Sequence, residues 1–236
     1  MIPKIIHYSW IGRGEKPELA KRCIASWRKF CPEFEIREWN EDNCDIHCCP
    51  YVEEAYTSKK YAFVTDYVRL YAMYMCGGVY MDTDVEVVRS LDKFMSSRAF
   101  SGFESTHYVP TGIMASEKGL PVIKELLEYY TGRHFLKADG SQDTTTNCVS
   151  ITNIMLSHGL KLDGKLQTVE DFTFYPADFF CPFENETGIL RKTDNTAAIH
   201  WFNKSWLPKG MRFRCKITRA CRRLFGKNCL DWLKRK

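Results

Sequence analysis

The 236-residue sequence predicts one α/β domain, in which helices flank a mostly parallel central sheet, followed by a basic helical tail. Apolar β-branched runs alternate with segments of helical spacing, which is typical of strand–helix–strand units. Hydrophobic residues make up 44% and charged residues 27% of the chain, as in a folded globular protein. No repeat or low-complexity stretch divides the sequence, so we expect a domain over residues 1–206 and a tail over 207–236.

Local patterns predict the elements in chain order. Apolar or alternating runs indicate strands, and apolar residues at helical spacing indicate helices. Pro32 and the pair Gly77-Gly78 provide stop signals after two of the helices. The predicted strands are 2–10, 34–39 and 79–88, the predicted helices are 18–30, 58–76, 120–130 and 144–156, and short strands with loops are expected over 159–200.

Charge is divided unevenly along the chain. Residues 204–236 contain twelve Lys and Arg and a single acid, whereas residues 1–203 contain 22 basic and 28 acidic residues. In the tail, apolar residues recur at helical spacing between the basic ones. A basic amphipathic helix fits an anionic membrane surface or a partner groove, and a last helix packed on its own domain is the other interpretation. Nucleic acid is the less favoured partner for such a tail.

Eleven cysteines are scattered without any Cys-x-x-Cys pair. The cluster Cys44, His47, Cys48 and Cys49 suggests zinc, but structural zinc sites need a second ligand pair, so reduced thiols are the favoured interpretation. The amino terminus has no pattern of a secretory signal, and no uncharged run reaches the length of about 20 residues that crosses a bilayer. We therefore expect a cytoplasmic protein, or one peripheral at the inner face of the membrane.

The segment most indicative of chemistry is an apolar strand that continues into Asp82-Thr83-Asp84. Buried carboxylates are costly unless they are paired or bind a metal. On an extended strand the two side chains would lie about 7 Å apart, whereas Mg²⁺–oxygen bonds are about 2.1 Å. We therefore expect Asp84 to bind a metal directly and Asp82 to act through water or on a ligand hydroxyl. Oxygen ligands favour Mg²⁺ or Mn²⁺, often shared with a diphosphate.

Two further groups of residues support a ligand site. Asp66 and Arg69 share one face of an otherwise apolar helix, where a carboxylate and a guanidinium can bind sugar hydroxyls, although a simple ion pair is the alternative. Trp10 ends the first strand, at the edge of the sheet where α/β proteins bind ligands, and could stack on a base. A late cluster combines a metal-capable imidazole with an amide and an indole, in His200, Asn203 and Trp206.

Three blocks of the sequence, residues 4–12, 60–70 and 76–85, together resemble the DXD-containing glycosyltransferases of the sugar-binding-region type. That family includes capsular polysaccharide transferases and yeast initiating α-1,6-mannosyltransferases, and is distantly similar to the glucosyltransferase domains of large clostridial toxins. The resemblance implies a GT-A fold, a divalent metal, a nucleotide-sugar donor with UDP favoured over GDP, and retention of anomeric configuration. A saccharide acceptor in capsule, O-antigen or other surface polysaccharide synthesis follows from it, and the basic amphipathic tail, which has no counterpart in that family, suits an acceptor that is lipid-linked.

The resemblance also implies roles for individual residues. Asp66, Arg69, Asp82 and Asp84 would be catalytic, and Asp84, Asp82 and His200 would hold Mn²⁺ or Mg²⁺. The donor would be bound by Tyr8, Trp10, Gly12, Asp66, Arg69, Asp82, Thr83, Asn203 and Trp206. The sequence singles out no carboxylate beneath the anomeric carbon, so we expect a same-face internal return with the leaving phosphate as the base, and Asp143 is the one downstream acid expected as a pocket residue.

Two other functions remain open at the level of sequence. The pair Asp82 and Asp84 also fits the nucleophile loop of a haloacid-dehalogenase-like phosphatase. Such proteins usually carry this loop on the first strand, and that hypothesis leaves Trp10, Asp66 and Arg69 without a role. A non-catalytic sugar-binding protein is the second alternative.

Overall fold

A computed structural model of the protein describes residues 1–110, 112–204, 207, 209–226 and 228–229. The strands in these residues are β1 (Ile5–Ser9), β2 (Glu35–Trp39), β3 (Gly78–Met81), β4 (Val85–Val87), β5 (Ala99–Gly102), β6 (Ile113–Ser116), β7 (Gln167–Val169), β8 (Phe172–Tyr175) and β9 (Ala198–His200). The helices are α1 (Glu18–Phe30), α2 (Pro50–Thr57), α3 (Tyr61–Cys76), α4 (Pro121–Glu128), α5 (Asn147–Ser157), α6 (Ala177–Phe180) and α7 (Lys209–Phe225).

Seven strands form the central sheet in the order β2-β1-β3-β6-β5-β8-β7, and β4 pairs with β9 in a second, two-stranded sheet. The predicted α/β fold is confirmed. The sheet is mixed rather than mostly parallel: β1 is parallel to β2 and β3, and β5 to β8, while β6 is antiparallel to both of its neighbours and β7 to β8. Connections without a crossover helix join the antiparallel neighbours β5 and β6 and β7 and β8, since only a parallel pair requires a long crossover, whereas β3 and β6 pair across the intervening β4 and β5.

The two faces of the sheet bury different cores. Tyr80 and Met114 point towards the layer of α2, α3, α4 and α5. Their strand neighbours Val79 and Ala115 point towards α1 and the two-stranded sheet. Since successive residues of a strand face opposite sides, burial on both faces explains why β3 is a continuous apolar run.

The predicted helix over 18–30 matches α1 residue for residue, and helices are present at each of the other predicted positions with shifted ends. The predicted strand over 79–88 is wrong as one element. It divides into β3 and β4, which belong to different sheets, with Asp82-Thr83-Asp84 between them. An apolar run on either side of the acids conceals this break, because both short strands are buried.

The tail and the cysteines complete the fold. Basic residues and exposed apolar side chains alternate along α7, so the predicted helix is confirmed over its described length. Within the described residues, none of the helices combines the length and the apolar character needed to cross a bilayer. In that same part of the chain, Cys44, Cys48 and Cys49 join no group of metal-ligating side chains, and all eleven cysteines are free thiols.

Candidate functional site

A cavity of about 740 Å³ opens at the carboxyl ends of β1 and β3. Its wall includes residues from the end of β1, the first turns of α3, the turn after β3 and the beginning of α5. Open α/β sheets bind ligands at this edge, and the volume lies within the range of small-molecule sites. The chain therefore places its acidic segment in the wall of a ligand-sized cavity.

The segment Asp82-Thr83-Asp84 forms a turn at the exit of the central sheet. The Val85 N–H donates a hydrogen bond to the Asp82 carbonyl at 2.9 Å, and the Asp82 N–H donates to the Gly112 carbonyl at 2.8 Å. One carboxylate oxygen each of Asp82 and Asp84 and a ring nitrogen of His200 lie within 4.8 Å of one another. The expectation that the two carboxylates are too far apart to hold one ion was wrong, because it assumed an extended backbone.

The two-stranded sheet brings His200 to this turn from 116 residues further along the chain. Val85 of β4 lies opposite His200 of β9. Beyond β9, the Trp201 N–H donates to the Asp84 carbonyl at 3.0 Å, and the Asn203 N–H donates to Asp84 Oδ2 at 2.7 Å. Phe202, between them, has a left-handed φ of 51°. Non-glycine residues adopt such angles at a cost, so the tight turn that holds Asp84 is retained against local strain.

Helix α1 fixes β4 from the other side. The Trp27 indole N–H donates to the Val85 carbonyl at 2.8 Å, and the Ser26 hydroxyl accepts the Val87 N–H at 2.9 Å. Both groups of α1 are buried, so the hydrogen bonds are made away from water. They satisfy backbone groups of β4 that have no partner in a two-stranded sheet. The position of Asp84 is thus determined by α1 and β9 together.

Neighbouring groups of opposite charge offset the free-energy cost of burying the ionised side chains at this turn. Burial raises the pKa of the Asp82 carboxyl, although the Arg69 guanidinium opposes the shift. At Asp84 burial also raises the pKa, but the nearby His200 outweighs it and the pKa lies below its ordinary value. For His200 burial lowers the pKa, and Asp84 reverses the effect and raises it well above its ordinary value. Asp84 is therefore the more strongly ionised of the two carboxylates.

Asp66 and Arg69 form a buried ion pair next to the turn. Arg69 Nη2 lies 3.3 Å from Asp66 Oδ1 and 3.0 Å from Asp82 Oδ1, so one guanidinium joins α3 to the acidic turn. Burial raises the pKa of Asp66 to about 7, and Arg69 limits that increase. The Asn147 backbone N–H, at the first turn of α5, donates to Asp66 Oδ2 at 3.3 Å. Both predicted residues line the cavity, and the Arg69 Nε group is buried without a hydrogen-bond partner among the described residues.

The predicted donor-binding residues are only partly brought together. Trp10, Thr83 and Asn203 line the cavity with the acidic residues. Trp10 donates its indole N–H to the Gly14 carbonyl, and the Lys16 ammonium lies 5.5 Å from the centre of its ring. Trp206 lies outside the residues that the structure describes.

Tyr8 and Gly12 do not line the cavity. Tyr8 precedes Ser9 on β1 and so points to the opposite face, where it packs against Trp27 at 5.6 Å between ring centres. Gly12 has φ +98° and lies directly against the ring of Tyr61, so a side chain there would collide with that ring. Neither the Tyr8 side chain nor Gly12 is part of the cavity wall, and the role of these two residues in donor binding stays a prediction.

Several residues of the cavity wall were not predicted from the sequence. Glu104, just beyond β5, is a cavity-lining carboxylate whose pKa is raised by burial, and the Cys148 thiol donates to it at 3.5 Å. No motif marks Glu104, because the topology alone brings it to the site. Asp143, the acid retained from the sequence, is instead bound to Arg133 at 2.6 Å and does not line the cavity. Lys59, Lys60 and Lys204 supply positive charge to the wall.

The donor atoms at the turn suit a divalent cation. Ligands on opposite sides of Mg²⁺ are about 4.2 Å apart, so a group within 4.8 Å needs only a small contraction. Carboxylates suit Mg²⁺ and Mn²⁺, and the imidazole of His200 shifts the preference towards a transition metal. The three residues predicted as ligands are therefore close enough, and chemically suited, to hold one ion.

Comparison with known proteins identifies the region that contains this site. Residues 17–101, which include Asp66, Arg69, Asp82 and Asp84, match the family described as glycosyltransferase sugar-binding region containing DXD motif. The chain carries a DXD-containing glycosyltransferase region. The resemblance stated from the sequence is confirmed over this region.

Similarity to individual proteins is more limited. Inositol phosphoceramide mannosyltransferase 3 of Schizosaccharomyces pombe is 29% identical over 142 residues, which cover 57% of this chain and 40% of that protein. The chain thus spans less than half the length of this curated relative. Among solved structures, the galactosyltransferase LgtC with donor and acceptor sugar analogs has 14% identity and a TM-score of 0.48, covering 91% of this chain and 93% of that one. The PaToxG glycosyltransferase has 17% identity and a TM-score of 0.46, covering 66% and 69%.

The phosphatase alternative loses its basis. Such phosphatases usually carry the acidic motif on the first strand, whereas here the motif follows β3, the third strand in chain order. The Arg69 guanidinium binds Asp82, the acid that would attack phosphorus, at 3.0 Å. A carboxylate held in this way is positioned as a ligand-binding group rather than as a free nucleophile.

Proposed function

We propose that the protein transfers a hexose from a nucleotide-sugar donor to a saccharide acceptor, using a divalent cation. The observation that carries this proposal is the convergence of Asp82, Asp84 and His200 within 4.8 Å in the wall of a 740 Å³ cavity. The glycosyltransferase family match over residues 17–101 supports the same activity. A non-catalytic sugar-binding protein would have no need of a metal-suited triad beside a cationic wall.

In this proposal, different residues of the cavity bind different parts of the donor. Trp10 offers a ring face to the base, and Asp66 with Arg69 faces the sugar. Lys59, Lys60 and Lys204 supply positive charge for the diphosphate, as ammonium groups commonly do for phosphate. Asp82, Asp84 and His200 would hold Mn²⁺ or Mg²⁺, which when bound supplies Lewis-acid stabilisation of the departing diphosphate.

We further propose retention of configuration by internal return. The acceptor oxygen attacks the anomeric carbon from the face that the diphosphate leaves. The bond from that carbon to the phosphate oxygen breaks, and the nucleoside diphosphate departs with the electron pair and with the acceptor proton. Glu104 is the cavity carboxylate that offers a competing route, a double displacement through a glycosyl ester.

The acceptor is proposed to be lipid-linked, in the synthesis of capsule, O-antigen or another surface polysaccharide. The name of the S. pombe relative describes a sugar transferred to a phosphorylated lipid, which supports an acceptor of this kind. Helix α7 exposes Phe213, Leu224 and Phe225 among basic residues, a composition that suits an anionic bilayer surface. We therefore propose a cytoplasmic location, peripheral at the inner face of the membrane, with residues 207–236 acting as a tail to the 1–206 domain.

Thermal stabilisation by nucleotides tests the donor site directly. A ligand that binds only the folded state adds about 2.7 kcal/mol at one hundred times its dissociation constant. We expect UDP with Mn²⁺ to raise the unfolding temperature, GDP to do so less, and EDTA to abolish the shift. The nucleotide that gives the larger shift then selects the radiolabelled nucleotide-sugar to test. Transfer of its sugar to an acceptor, or its hydrolysis when no acceptor is present, would be measured. The absence of any shift with either nucleotide, with or without metal, would reject the proposal.

A further inference from the structure

A second cavity, of about 500 Å³, lies between α7 and the segment that follows β9. Basic side chains from three parts of the chain line it, namely Arg22, Lys204, Arg212, Lys216 and Arg219. Among the described residues of its wall there is no carboxylate. We refer to it as the tail cavity.

The tail cavity adjoins the cavity that contains the acidic turn. Leu19, Phe202, Asn203 and Lys204 line both cavities. Asn203 is also the residue whose backbone N–H binds Asp84 at 2.7 Å. A molecule seated in the tail cavity can therefore extend past Lys204 towards the metal-suited triad.

The cations of the tail cavity differ in how they are paired. Arg22 lies 3.4 Å from a Glu86 carboxylate oxygen. Arg219 donates to the backbone carbonyl and the side-chain oxygen of Asn185, both at 3.0 Å, which are neutral partners. Arg212 Nε is buried and has no hydrogen-bond partner among the described residues. A buried donor without an acceptor is costly, so this group favours an anionic oxygen that the protein itself does not provide.

Apolar surface accompanies these charges. Phe183 and Phe213 line the same cavity, and the Arg219 guanidinium lies 5.1 Å from the centre of the Phe183 ring. Phe213 is 65% exposed, although such a ring is usually covered. A free inorganic anion would gain nothing from this surface. The combination fits a molecule that joins an anionic group to an apolar chain.

We propose that the tail cavity binds the phosphate ester of an amphiphilic acceptor, with the phosphate on Arg212 and Lys216 and the apolar part along Phe183 and Phe213. The saccharide of that acceptor would then point past Lys204 towards Asp84. Binding of the phosphate ester stands on the cavity alone, and only its designation as the acceptor rests on the proposed function.

Isothermal titration calorimetry with dihexanoyl phosphatidate, kept below its micelle concentration, tests the binding. Dihexanoylglycerol lacks the phosphate, and inorganic phosphate lacks the chains. The double variant Arg212→Gln/Lys216→Gln removes two charges from the tail cavity. Its matched control, Arg214→Gln/Arg223→Gln, removes two exposed charges from the same helix that do not line the cavity. Each protein is also titrated with UDP and Mn²⁺.

We expect phosphatidate to bind the wild type, and the cavity double variant to bind it at least about tenfold more weakly, since hydrogen bonds between charged groups are the strong ones. The control double variant should bind phosphatidate as the wild type does. Dihexanoylglycerol and inorganic phosphate should each bind the wild type more weakly than phosphatidate does. Equal weakening in the two double variants would overturn the proposal in favour of diffuse attraction to anionic surfaces. Equal affinity for inorganic phosphate would also overturn it. Phosphatidate binding without any response to UDP would leave this site standing and reject the proposed function instead.

Discussion

Asp84 is the residue on which the proposed metal site depends. Its carboxylate lies 3.5 Å from His200 Nε2 and accepts the Asn203 N–H, so it is held by two elements at once. In Asp84→Asn the amide oxygen can still accept that N–H, while the negative charge is lost. We expect turnover to fall by at least about 10²–10³-fold, as when one preorganised electrostatic group is removed. Sugar-transfer kinetics would measure this loss of turnover. The unfolding temperature of the unliganded variant, as a second readout, would show whether the fold is retained.

The control for this variant is Asp194→Asn, which changes a fully exposed carboxylate in the loop before β9. It should leave both turnover and the metal-dependent thermal shift unchanged. Turnover near the wild-type value in Asp84→Asn would contradict the metal assignment.

Glu104 distinguishes the two routes by which the proposed retention of configuration could occur. If internal return operates, Glu104→Gln removes a charge from the wall but no bond-forming group, and we expect turnover to fall by no more than about tenfold. General acid–base or covalent roles are worth about 10²–10⁴-fold or more. Intact-protein mass spectrometry during turnover should show no added hexose on the wild type.

The exposed Glu15→Gln serves as the comparison for this experiment. A mass increase of one hexose on the wild type that disappears in Glu104→Gln, together with a loss beyond about 10³-fold, would establish the double displacement instead.

Individual residues were predictable from sequence only where a motif marks them. Asp82 and Asp84 stand together at the end of an apolar run, and His200 contains a metal-capable ring in a late cluster, so their types and positions suggested a role. Glu104 has no such context, because its importance arises from the fold that carries the end of β5 to the cavity. The pairing of Asp143 with Arg133 was equally invisible, since both residues lie in irregular segments.

At the scale of elements, periodicity predicted the helices better than the strands. Helix α1 has one buried face over thirteen residues, which produces a clear repeat. Strands β3 and β4 contain four and three residues, both mostly buried, so nothing in their hydrophobic pattern separates them. The turn between them became visible only through its hydrogen bonds, and with it the convergence of the two carboxylates.

The junction of α3 and β3 depends on a glycine. Gly78 has φ +111°, and a side chain there would lie 2.6 Å from the Ile5 carbonyl oxygen and 3.0 Å from His7 Nε2. We expect Gly78→Ala to lower the free energy of unfolding by about 1–3 kcal/mol, through strain and the separation of β1 from β3. Gly14→Ala is the control, since nothing lies within 4 Å of a side chain at that position. Urea unfolding of the two variants would measure the difference, and equal stabilities would contradict the close packing.

His7 joins β1, β2 and the end of α3 in its neutral form. Its Nε2–H donates to the Gly77 carbonyl at 2.8 Å, and its Nδ1 accepts the Trp39 indole N–H at 3.0 Å. Burial lowers the pKa of His7 from 6.5 to about 4. Below pH 6.5 the unfolded chain binds a proton that the folded chain does not, so stability is lost as the pH falls from 6.5 to about 4. The loss is about 3 kcal/mol in total.

His7→Gln replaces the imidazole with an amide that can donate and accept hydrogen bonds and does not titrate in this pH range. The free energy of unfolding of this variant should depend less on pH between 6.5 and 4 than that of the wild type. His107→Gln, which changes an exposed histidine, should retain the wild-type slope. Parallel slopes for wild type and His7→Gln would show that His7 is not the origin of the pH dependence.

For the whole molecule, the sequence predicted the α/β class, the basic tail and the region of the site. These properties follow from composition, charge distribution and the alternation of strand and helix patterns, which act over long stretches. The antiparallel insertion of β6 and the pairing of β4 with β9 were not predictable. Both depend on contacts between segments far apart in the chain, as for Val85 and His200.

The division of charge between body and tail leads to a prediction for the intact protein. Helix α7 combines basic residues with exposed Phe213, Ile217 and Leu224, so it can bind anionic lipid by both charge and apolar contact. We expect the full chain to pellet with vesicles containing phosphatidylserine and to remain unbound with phosphatidylcholine alone. Removing residues 211–236 should abolish pelleting, and about 0.5 M salt should weaken it in the full chain because it screens the charges.

The shortened protein must retain its domain for this comparison to be informative. Its unfolding temperature and its stabilisation by UDP with Mn²⁺ provide that control, since α7 contributes no residue to the acidic turn. Each basic residue close to an anionic surface adds about 1 kcal/mol, so even part of α7 is sufficient for a measurable difference in binding. Equal pelleting of the full and shortened chains would assign membrane contact to another surface and leave the tail as a packed terminal helix.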